Sequence, residues 1–365
     1  MIRNNVEIRP FEDCIKKVKY TKKVASQDFK ESGRFPIVSQ EEAFISGYWD
    51  NPDDVFSIDG PVVIFGDHSR HVKYVDFDFV IGADGVKILA PVDDINAKYF
   101  YYYLKSQRIQ SLGYSRHYKV LKEKMLPVPS LADQQRIVDE LDLLSGIVEK
   151  KYAQLKIMGD LEQSVFYEMF DQPDSSSFPV FKLSQLSRQK LSYGSGASAV
   201  EFNGNVRYVR ITDIQEDGTL TENSMSPDSY DEKYLLHEGD ILFARRGATV
   251  GKTFLYNKQD GKSIYAGYLI RFVPDVSVVY PEYIYHFTRS QYYKAFVRAN
   301  AQAVAQPNIN AQQYGNLEIC VPPMSLQKDF VERIMSIDSQ KATIRRSIKV
   351  AQNLLASRLD NYFNV

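Results

Sequence analysis

Two stretches decide the fold: Leu126-Pro127-Val128-Pro129-Ser130-Leu131-Ala132-Asp133-Gln134-Gln135 near the middle of the chain, and Ile319-Cys320-Val321-Pro322-Pro323-Met324-Ser325-Leu326-Gln327-Lys328 near its end. Gln134 and Gln327 are 193 residues apart, and the same separation carries Phe170 to Phe363. A separation that stays constant over about forty residues is the signature of an internal repeat. The sequence therefore predicts two ungapped copies of one element.

Each copy begins with prolines, which the first turn of a helix tolerates but its interior does not. Apolar residues then recur at spacings of three and four, or their sums, which is the pattern of a coiled-coil seam. In the first copy they are Ile137, Leu141, Leu144, Val148, Leu155, Met158, Val165 and Met169. In the second copy they are Phe330, Ile334, Ile337, Ile344, Ile348, Ala351, Leu355, Leu359 and Tyr362. We expect two helices of roughly 60 Å that pair with each other, the alternative being that each packs on its own domain.

Single lysines interrupt both stripes. Lys341 stands where the first copy has Val148, and Lys151 stands where the second copy has Ile344. Lysines in a seam are typical of register devices or of exposed edges.

The segments that precede the two helices resemble each other more weakly. Residues 60–66 and 239–245 both read as a turn followed by a buried strand, and residues 86–91 parallel residues 269–274. Residues 99–106 and 283–290 each predict a short helix with an aromatic inner face, for which a base-stacking platform is the alternative.

These features predict an α+β protein in which two mixed α/β domains are separated by a long antiparallel two-helix coiled coil with a pseudo-two-fold repeat. The expected boundaries are a first domain over 1–130, a helix over 131–171, a linker over 172–178, a second domain over 179–323 and a helix over 324–365. If the helices pair antiparallel, the domains lie at opposite ends of a spacer.

The composition is that of a globular protein, with 44% hydrophobic and 25% charged residues in 365. A formal net charge of −1 argues against a basic nucleic-acid coat, although cations can still cluster on one face. Cys14 and Cys320 form neither a disulfide framework nor a zinc set. With no signal-peptide pattern at the N-terminus and no apolar run of membrane-spanning length, a cytoplasmic location is expected.

Catalytic patterns are weak. Residues 247–253 resemble a P-loop, but three residues separate the glycines where that motif needs four. His68 and His71 lie near Asp67, for which a metal site is conceivable and a DNA-contacting loop is preferred. No glycine-rich cofactor loop and no nucleophile–base pair stand out, so we expect no catalytic residues, no metal and no cofactor.

The whole chain resembles the specificity subunit of Type I restriction–modification systems. The resemblance rests on the turn and strand of residues 238–252, on residues 306–310 leading to the proline–glutamine element, and on the duplication of that element before two long helices. The first domain departs from the pattern, because Gly66, Asp67 and His68 stand where the second domain has Arg245, Arg246 and Gly247.

The resemblance implies a non-catalytic, DNA-binding subunit in which each target-recognition domain reads one half of an asymmetric bipartite target. It also implies two modification (methyltransferase) subunits that dock on this chain and methylate adenine with S-adenosylmethionine, and restriction subunits that add ATP-driven translocation and cleavage. The partners are thus double-stranded DNA and these subunits, with no membrane. The coiled coil would set the spacing between half-sites, which lie 34–36 Å apart when separated by about one helical turn.

Reading bases in the major groove requires Arg or Lys for guanine and Asn or Gln for adenine, while phosphate contacts require cations and hydroxyls. On these grounds the first-domain candidates are Arg34, Ser69, Arg70, His71, Lys73, Ser115, Arg116, His117, Tyr118 and Lys119. The second-domain candidates are Tyr193, Ser195, Arg210, Arg245, Arg246, Lys252 and Gln302.

Two other functions stay open from the residues alone. The chain could be a scaffold whose coiled coil joins two protein-binding domains, which the near-neutral charge favours and the family-like repeats disfavour. It could also be an enzyme such as a nuclease. Co-purification of a methyltransferase separates the first hypothesis from the scaffold, and loss of sequence-specific methylation on deletion excludes the nuclease.

Overall fold

The repeat predicted from the sequence is visible in the order of secondary-structure elements. The structure, a computed structural model, describes residues 6–110, 113, 115–170, 178–301 and 307–364. By internal contacts the chain divides into unit 1, formed by Met1–Tyr152 and Arg346–Val365, and unit 2, formed by Ala153–Arg345. Each unit thus contains one mixed α/β domain together with parts of both long helices.

The strands and helices of the first half are β1 (Glu7–Pro10), β2 (Ile15–Lys16), β3 (Lys23–Val24), β4 (Phe35–Val38), β5 (Gly47–Trp49), β6 (Val55–Phe56), β7 (Val62–Gly66), β8 (Val72–Val75), β9 (Phe79–Gly82), β10 (Val86–Pro91), α1 (Ala97–Ser106), α2 (Tyr118–Lys122), β11 (Met125–Val128) and α3 (Leu131–Phe170). Those of the second half are β12 (Val180–Lys182), β13 (Ser192–Tyr193), β14 (Ala199–Glu201), β15 (Arg207–Val209), β16 (Met225–Pro227), β17 (Ile241–Ala244), β18 (Thr253–Leu255), β19 (Ser263–Tyr265), β20 (Leu269–Phe272), α4 (Pro281–Phe287), α5 (Gln291–Ala301), α6 (Ala311–Gly315), β21 (Glu318–Cys320) and α7 (Met324–Phe363).

Each unit contains the same four-stranded antiparallel sheet. Its order is β2-β10-β7-β8 in unit 1 and β13-β20-β17-β18 in unit 2. In each half the first strand also pairs with the last strand before the long helix, as β1 with β11 and β12 with β21. The predicted fold class, a repeat of a mixed α/β domain and a long helix, is confirmed.

The central strand of each sheet is buried on both faces, which explains its unbroken apolar sequence. Successive side chains of a strand point to opposite faces. In β7, Val63 and Phe65 therefore join the core beneath α1, whereas Val62 and Ile64 join a second core on the other face. In β17, Ile241 and Phe243 alternate with Leu242 and Ala244 in the same way.

The aromatic residues of the two short helices are core residues. Tyr99, Phe100 and Tyr103 of α1 are fully buried, as is Tyr283 of α4. The Tyr99 hydroxyl donates to the carbonyl of Pro127 at 2.7 Å, and the Tyr283 hydroxyl donates to that of Cys320 at 2.6 Å. Both hydroxyls tie the short helix to the last strand, so the base-stacking alternative does not apply to these rings.

A buried glutamine anchors the first turn of each long helix. The Gln134 carbonyl accepts from the backbone N–H of Asn96 at 2.8 Å, and its amide donates to the carbonyls of Asp94 and Pro129. Gln327 makes the same set of bonds to Tyr280, Val278 and Pro322. The repeated glutamine therefore fixes the start of α3 to the start of α1, and the start of α7 to the start of α4.

In each unit the segments of α3 and α7 run antiparallel. In unit 1, Glu140 pairs with Arg358 at 2.8 Å, and Tyr152, later in α3, accepts a hydrogen bond from Gln352, earlier in α7. In unit 2, Glu162 pairs with Lys341 at 2.7 Å. None of the helices in the described ranges combines the length and apolarity that crossing a membrane requires.

Candidate nucleic-acid interface

In unit 1 one buried carboxylate joins two of the predicted loop clusters. Asp67 follows β7 and is 2% exposed. Its carboxylate accepts from the backbone N–H of Tyr118 at 2.8 Å, and its carbonyl accepts from the backbone N–H of His117 at 2.8 Å. The turn of residues 66–71 and the segment of residues 115–119 therefore lie against each other, although about fifty residues separate them in the chain.

A second loop braces the same turn from the other side. The carbonyl of Gln40 accepts a hydrogen bond from the Ser69 hydroxyl, and the Gln40 side chain accepts from the backbone N–H of His68. Lys73 is only 6% exposed and donates to the carbonyls of Ser39 and Ala43, and burial lowers the pKa of its ammonium group. Lys73 thus fastens the loop of residues 39–43 and does not lie at the surface.

The exposed side chains of this cluster are Arg70, His71, Arg116 and Lys119. Arg70 has a φ of +65°, and within the described ranges no other non-glycine residue has a positive φ. Its guanidinium donates to the carbonyl of Ile109 at 2.9 Å. A left-handed conformation costs a residue with a Cβ about 1 kcal/mol or more, so the turn is held there by its surroundings.

The remaining first-domain candidates are placed differently. His117 is fully buried, and its Nδ1 lies 2.9 Å from the carbonyl of Asp67. Ser115 and Tyr118 are half-buried, and Lys87 lies over the Tyr118 ring. Arg34 is exposed but precedes β4, whereas Gln40 follows it, so the structure does not bring Arg34 to the cluster.

In unit 2 two arginines that follow β17 each lie over an exposed tyrosine. The Arg245 guanidinium is 4.6 Å from the centre of the Tyr193 ring and donates to the side-chain oxygen of Asn308 at 3.3 Å. The Arg246 guanidinium is 5.2 Å from the centre of the Tyr268 ring and donates to its hydroxyl at 3.2 Å. Such contacts orient a guanidinium while leaving it charged. They form a surface, which we call the arginine pair, from Arg245, Arg246, Tyr193, Tyr268 and Asn308.

Three other second-domain candidates are engaged in contacts outside this surface. Ser195 is 7% exposed, and its carbonyl accepts from the Tyr208 hydroxyl and from the backbone N–H of Gly267. Arg210 makes a two-pronged bond to Asp213 that raises the pKa of the guanidinium. Lys252 pairs with Glu216 at 2.7 Å. Gln302 lies outside the described residues.

Sequence reasoning missed several residues at these sites. Tyr268 and Asn308 complete the arginine pair, and Asn308 carries the amide that suits adenine. Elsewhere in unit 1, a segment with five lysines runs from the end of β2 to the start of β3, and the hydroxyl of its Tyr20 accepts from the backbone N–H of Ile88 in β10. The lysines are Lys16, Lys17, Lys19, Lys22 and Lys23. Their local density was a signal available in the sequence.

The stretch that resembles a P-loop has no phosphate-binding geometry. Residues Gly247–Thr249 form a single 3-10 turn between β17 and β18. A phosphate site of that kind requires the N-terminus of a long helix. In unit 1, Asp67 directs its carboxylate to the backbone rather than to a site with His68 and His71.

The chain matches the model of the Type I restriction modification DNA specificity domain twice, over residues 4–156 and 178–352. It is 25% identical to the EcoR124I/EcoR124II specificity subunit of Escherichia coli, covering 89% of this chain and 84% of that one. It is 21% identical to the EcoBI specificity subunit of the same organism, in an alignment that covers 87% of this chain and 74% of that one.

Solved structures share the fold. The S subunit of a Type I restriction–modification system from M. genitalium matches with a TM-score of 0.59 and 14% identity, covering 99% of this chain and 96% of that one. A chain from a study of complex assembly and conformational transition of the type I R-M system matches with a TM-score of 0.52 and 13% identity, covering 100% and 98%.

Proposed function

This chain belongs to the Type I restriction modification DNA specificity family, and we propose that its two halves read two different parts of one DNA target. As a specificity subunit it is not an enzyme, and its partners are DNA and the other subunits of a restriction–modification complex. One observation carries the proposal: the same four-stranded sheet occurs twice, but the side chains that follow its central strand differ. Gly66, the last residue of β7, and Asp67 stand where Arg245 and Arg246 follow β17.

In unit 2 we assign base reading to the arginine pair. Arginine recognises guanine through two parallel hydrogen bonds, which requires a guanidinium plane with a fixed orientation. Contacts with the rings of Tyr193 and Tyr268 restrict the orientation of these guanidinium groups. Asn308 adds an amide beside Arg245. We assign Lys252 and Arg210 a structural role in their loops, because each already forms an ion pair, Lys252 with Glu216 and Arg210 with Asp213.

In unit 1 we assign DNA contact to Ser69, Arg70, His71, Arg116 and Lys119. These side chains lie on the two segments that Asp67 joins, so one surface presents them together. Lys73 and His117, like Ser195 in unit 2, are buried and act by holding these loops. Arg34 and the lysines Lys17, Lys19, Lys22 and Lys23 are suited to phosphates, which position the protein without reading sequence, whereas Lys16 pairs with Asp93 at 2.6 Å.

The test compares Arg246→Ala with Arg70→Ala in the complete complex. Loss of a base-reading residue costs about 1–3 kcal/mol, or roughly 5- to 150-fold in affinity for the cognate site. Mapping of methylated adenines in the host should show relaxed sequence in one part of the motif for Arg246→Ala and in the other part for Arg70→Ala. Arg333→Ala, an exposed arginine on α7, is the matched control. Unchanged motifs and affinities in both variants would exclude these assignments.

We further propose that two modification subunits dock on the long helices. Ile157 and Leu161 of α3 are 62% and 42% exposed, and Val350 and Leu354 of α7, each 193 residues later, are 68% and 44% exposed. Isolated exposed apolar residues need no explanation, but a pair one helical turn apart that recurs in the repeat does. Two equal surfaces suit two copies of one partner.

Stoichiometry tests this docking. Ile157→Asp with Leu161→Asp should leave one modification subunit per chain, and Val350→Asp with Leu354→Asp should do the same, as measured by native mass spectrometry of the purified complex. Leu143→Asp is the control, because Leu143 is 65% exposed but its repeat counterpart is Ser336. Two subunits bound in every variant would refute the assignment.

The remaining roles follow from the same proposal. The helices set the distance between half-sites, so one extra heptad in each helix, about 10 Å, should lengthen the spacer of the methylated motif by about three base pairs at 3.4 Å per pair. The modification subunits would methylate adenine with S-adenosylmethionine, and restriction subunits would add translocation and cleavage. Since its target is chromosomal or invading DNA, we place the complex in the cytoplasm.

A further inference from the structure

The seam between α3 and α7 in unit 2 contains one buried ion pair. Glu162 is 7% exposed, and its carboxylate lies 2.7 Å from the Lys341 ammonium. Asp338, one turn earlier on α7, lies 3.5 Å from the same ammonium but is largely exposed. Ile337 and Ile344, the apolar seam residues on either side of Lys341, are nearly buried. Charges in such a seam cost solvation free energy, so their presence requires a reason.

The repeat relates this ion pair to an apolar pair in unit 1. Adding 193 to Glu162 gives Leu355, and subtracting 193 from Lys341 gives Val148. In unit 1 the Gln352 side chain donates to the Tyr152 hydroxyl, which is within one residue of the antiparallel register of Glu162 with Lys341, and that register places Val148 opposite Leu355. An apolar pair therefore suffices at this place in the seam, and the charges are not needed for packing.

We infer that the Glu162–Lys341 pair selects the pairing of α3 with α7 and excludes pairing of either helix with its own copy in a second chain. In an antiparallel pair of two α3 helices, the same register would place each Glu162 against Val148 of the other copy. In a pair of two α7 helices, it would place each Lys341 against Leu355. Both arrangements bury a charge without its partner, whereas the pairing of α3 with α7 satisfies both charges.

This selection matters because the two helices are otherwise interchangeable. They have equal length, equivalent anchoring glutamines and apolar stripes in the same register. The first half of the chain is synthesised before α7 exists, so an unpaired α3 could meet another α3. A single polar pair is a known means of fixing partner and register in a seam.

Charge reversal in two full-length chains tests the inference. Glu162→Lys alone places two lysines together, and Lys341→Glu alone places three carboxylates together, counting Asp338. When the two variants are co-expressed with different tags, exchange of helices between chains restores both ion pairs. The two substituted positions then face each other with reversed charges in one seam, and the unchanged Glu162 and Lys341 face each other in the other seam. We expect a heterodimer that is recovered through both tags, and monomers when two wild-type chains are co-expressed.

Two controls make the outcome decisive. Glu149→Lys and Lys349→Glu reverse exposed charges on the same helices, and their co-expression should give no heterodimer. If the single variants do not fold, Glu162→Lys combined with Lys341→Glu in one chain should recover a monomer with the wild-type melting temperature. Folded monomeric single variants that do not associate, or failure of the combined variant to fold, would overturn the inference. Neither result bears on DNA recognition.

Discussion

His286 should make unit 2 sensitive to mild acid. It lies on α4, is 3% exposed and has no hydrogen-bond partner for Nδ1 within the described residues. Its ring lies edge-on to Phe330 at 5.3 Å between ring centres. Burial, together with the positive charges of Arg289 and Lys341, lowers the pKa of the His286 imidazole to about 3. The folded unit therefore contains neutral His286 at any moderately acidic pH.

The size of the effect follows from the difference between the two states. In the unfolded chain the imidazole takes up a proton near pH 6.5, whereas in the folded chain it does not until about pH 3. The stability that depends on this neutral histidine is fully present above pH 6.5 and is lost progressively as the pH falls toward 3. Between pH 8 and pH 5 the loss amounts to about 2 kcal/mol.

Urea unfolding of the wild type and of His286→Phe, followed by far-UV circular dichroism at both pH values, measures this loss. The phenylalanine removes the titrating group and keeps an aromatic ring against Phe330, so its stability should fall by about 2 kcal/mol less than that of the wild type between pH 8 and pH 5. Trp49, the only tryptophan, lies in unit 1, and its fluorescence should change equally in both proteins. An equal loss for wild type and variant in the circular dichroism signal would refute the assignment of a neutral buried histidine.

Four further substitutions test other contacts. Gln134→Ala and Gln327→Ala should each lower the free energy of unfolding by roughly 2–4 kcal/mol, because each leaves buried backbone groups unpaired; the exposed neighbour Gln135→Ala is the control, and equal urea midpoints for all three would contradict the anchoring role. Gly194→Ala should weaken cognate DNA binding and lower the melting temperature, since its Cβ would collide with the carbonyls of Tyr265 and Ala266, whereas Gly196→Ala meets open space; identical behaviour of the two would contradict this. Arg70→Gly should raise the stability of unit 1 by about 1 kcal/mol by relieving the left-handed backbone, as Trp49 fluorescence in urea would show, and it should weaken cognate DNA binding; a less stable unit 1 would mean that the bond to Ile109 outweighs the strain.

The amino-acid sequence predicted the elements that occur in both halves and the elements with a regular apolar pattern. The separation of 193 residues located both long helices, and the apolar runs at 62–65 and 241–244 located the central strands, because both signals come from residues that are close in the chain. Tyr99 and Tyr283 were predicted as core on the same grounds. Local patterns are sufficient for such elements.

Burial of polar residues by distant loops could not be predicted in this way. Lys73 stands three residues after Arg70 and resembles a loop cation, but it lies in β8 opposite Ile64 and is covered by a loop some thirty residues earlier. His117 is fully buried, and its Nδ1 lies 2.9 Å from the carbonyl of Asp67, fifty residues away. Tyr268 and Asn308 become part of the arginine pair only through the pairing of β17 with β20 and the bridge between Arg246 and Asn308.

Residues whose contacts match in the two units hold the fold, whereas the residues that could contact DNA lie where the two units differ. Gln134 and Gln327, Tyr99 and Tyr283, and Phe363 and Phe170 make matching contacts in the two units. The match is interrupted directly after β7 and β17, where Asp67, bound to the backbone, stands in place of Arg246. A scaffold whose anchors are independent of these loops tolerates loop changes without loss of packing. Exchange of loops on a constant sheet would therefore alter the proposed target of one half while leaving the helices, and the proposed spacing that they set, unchanged.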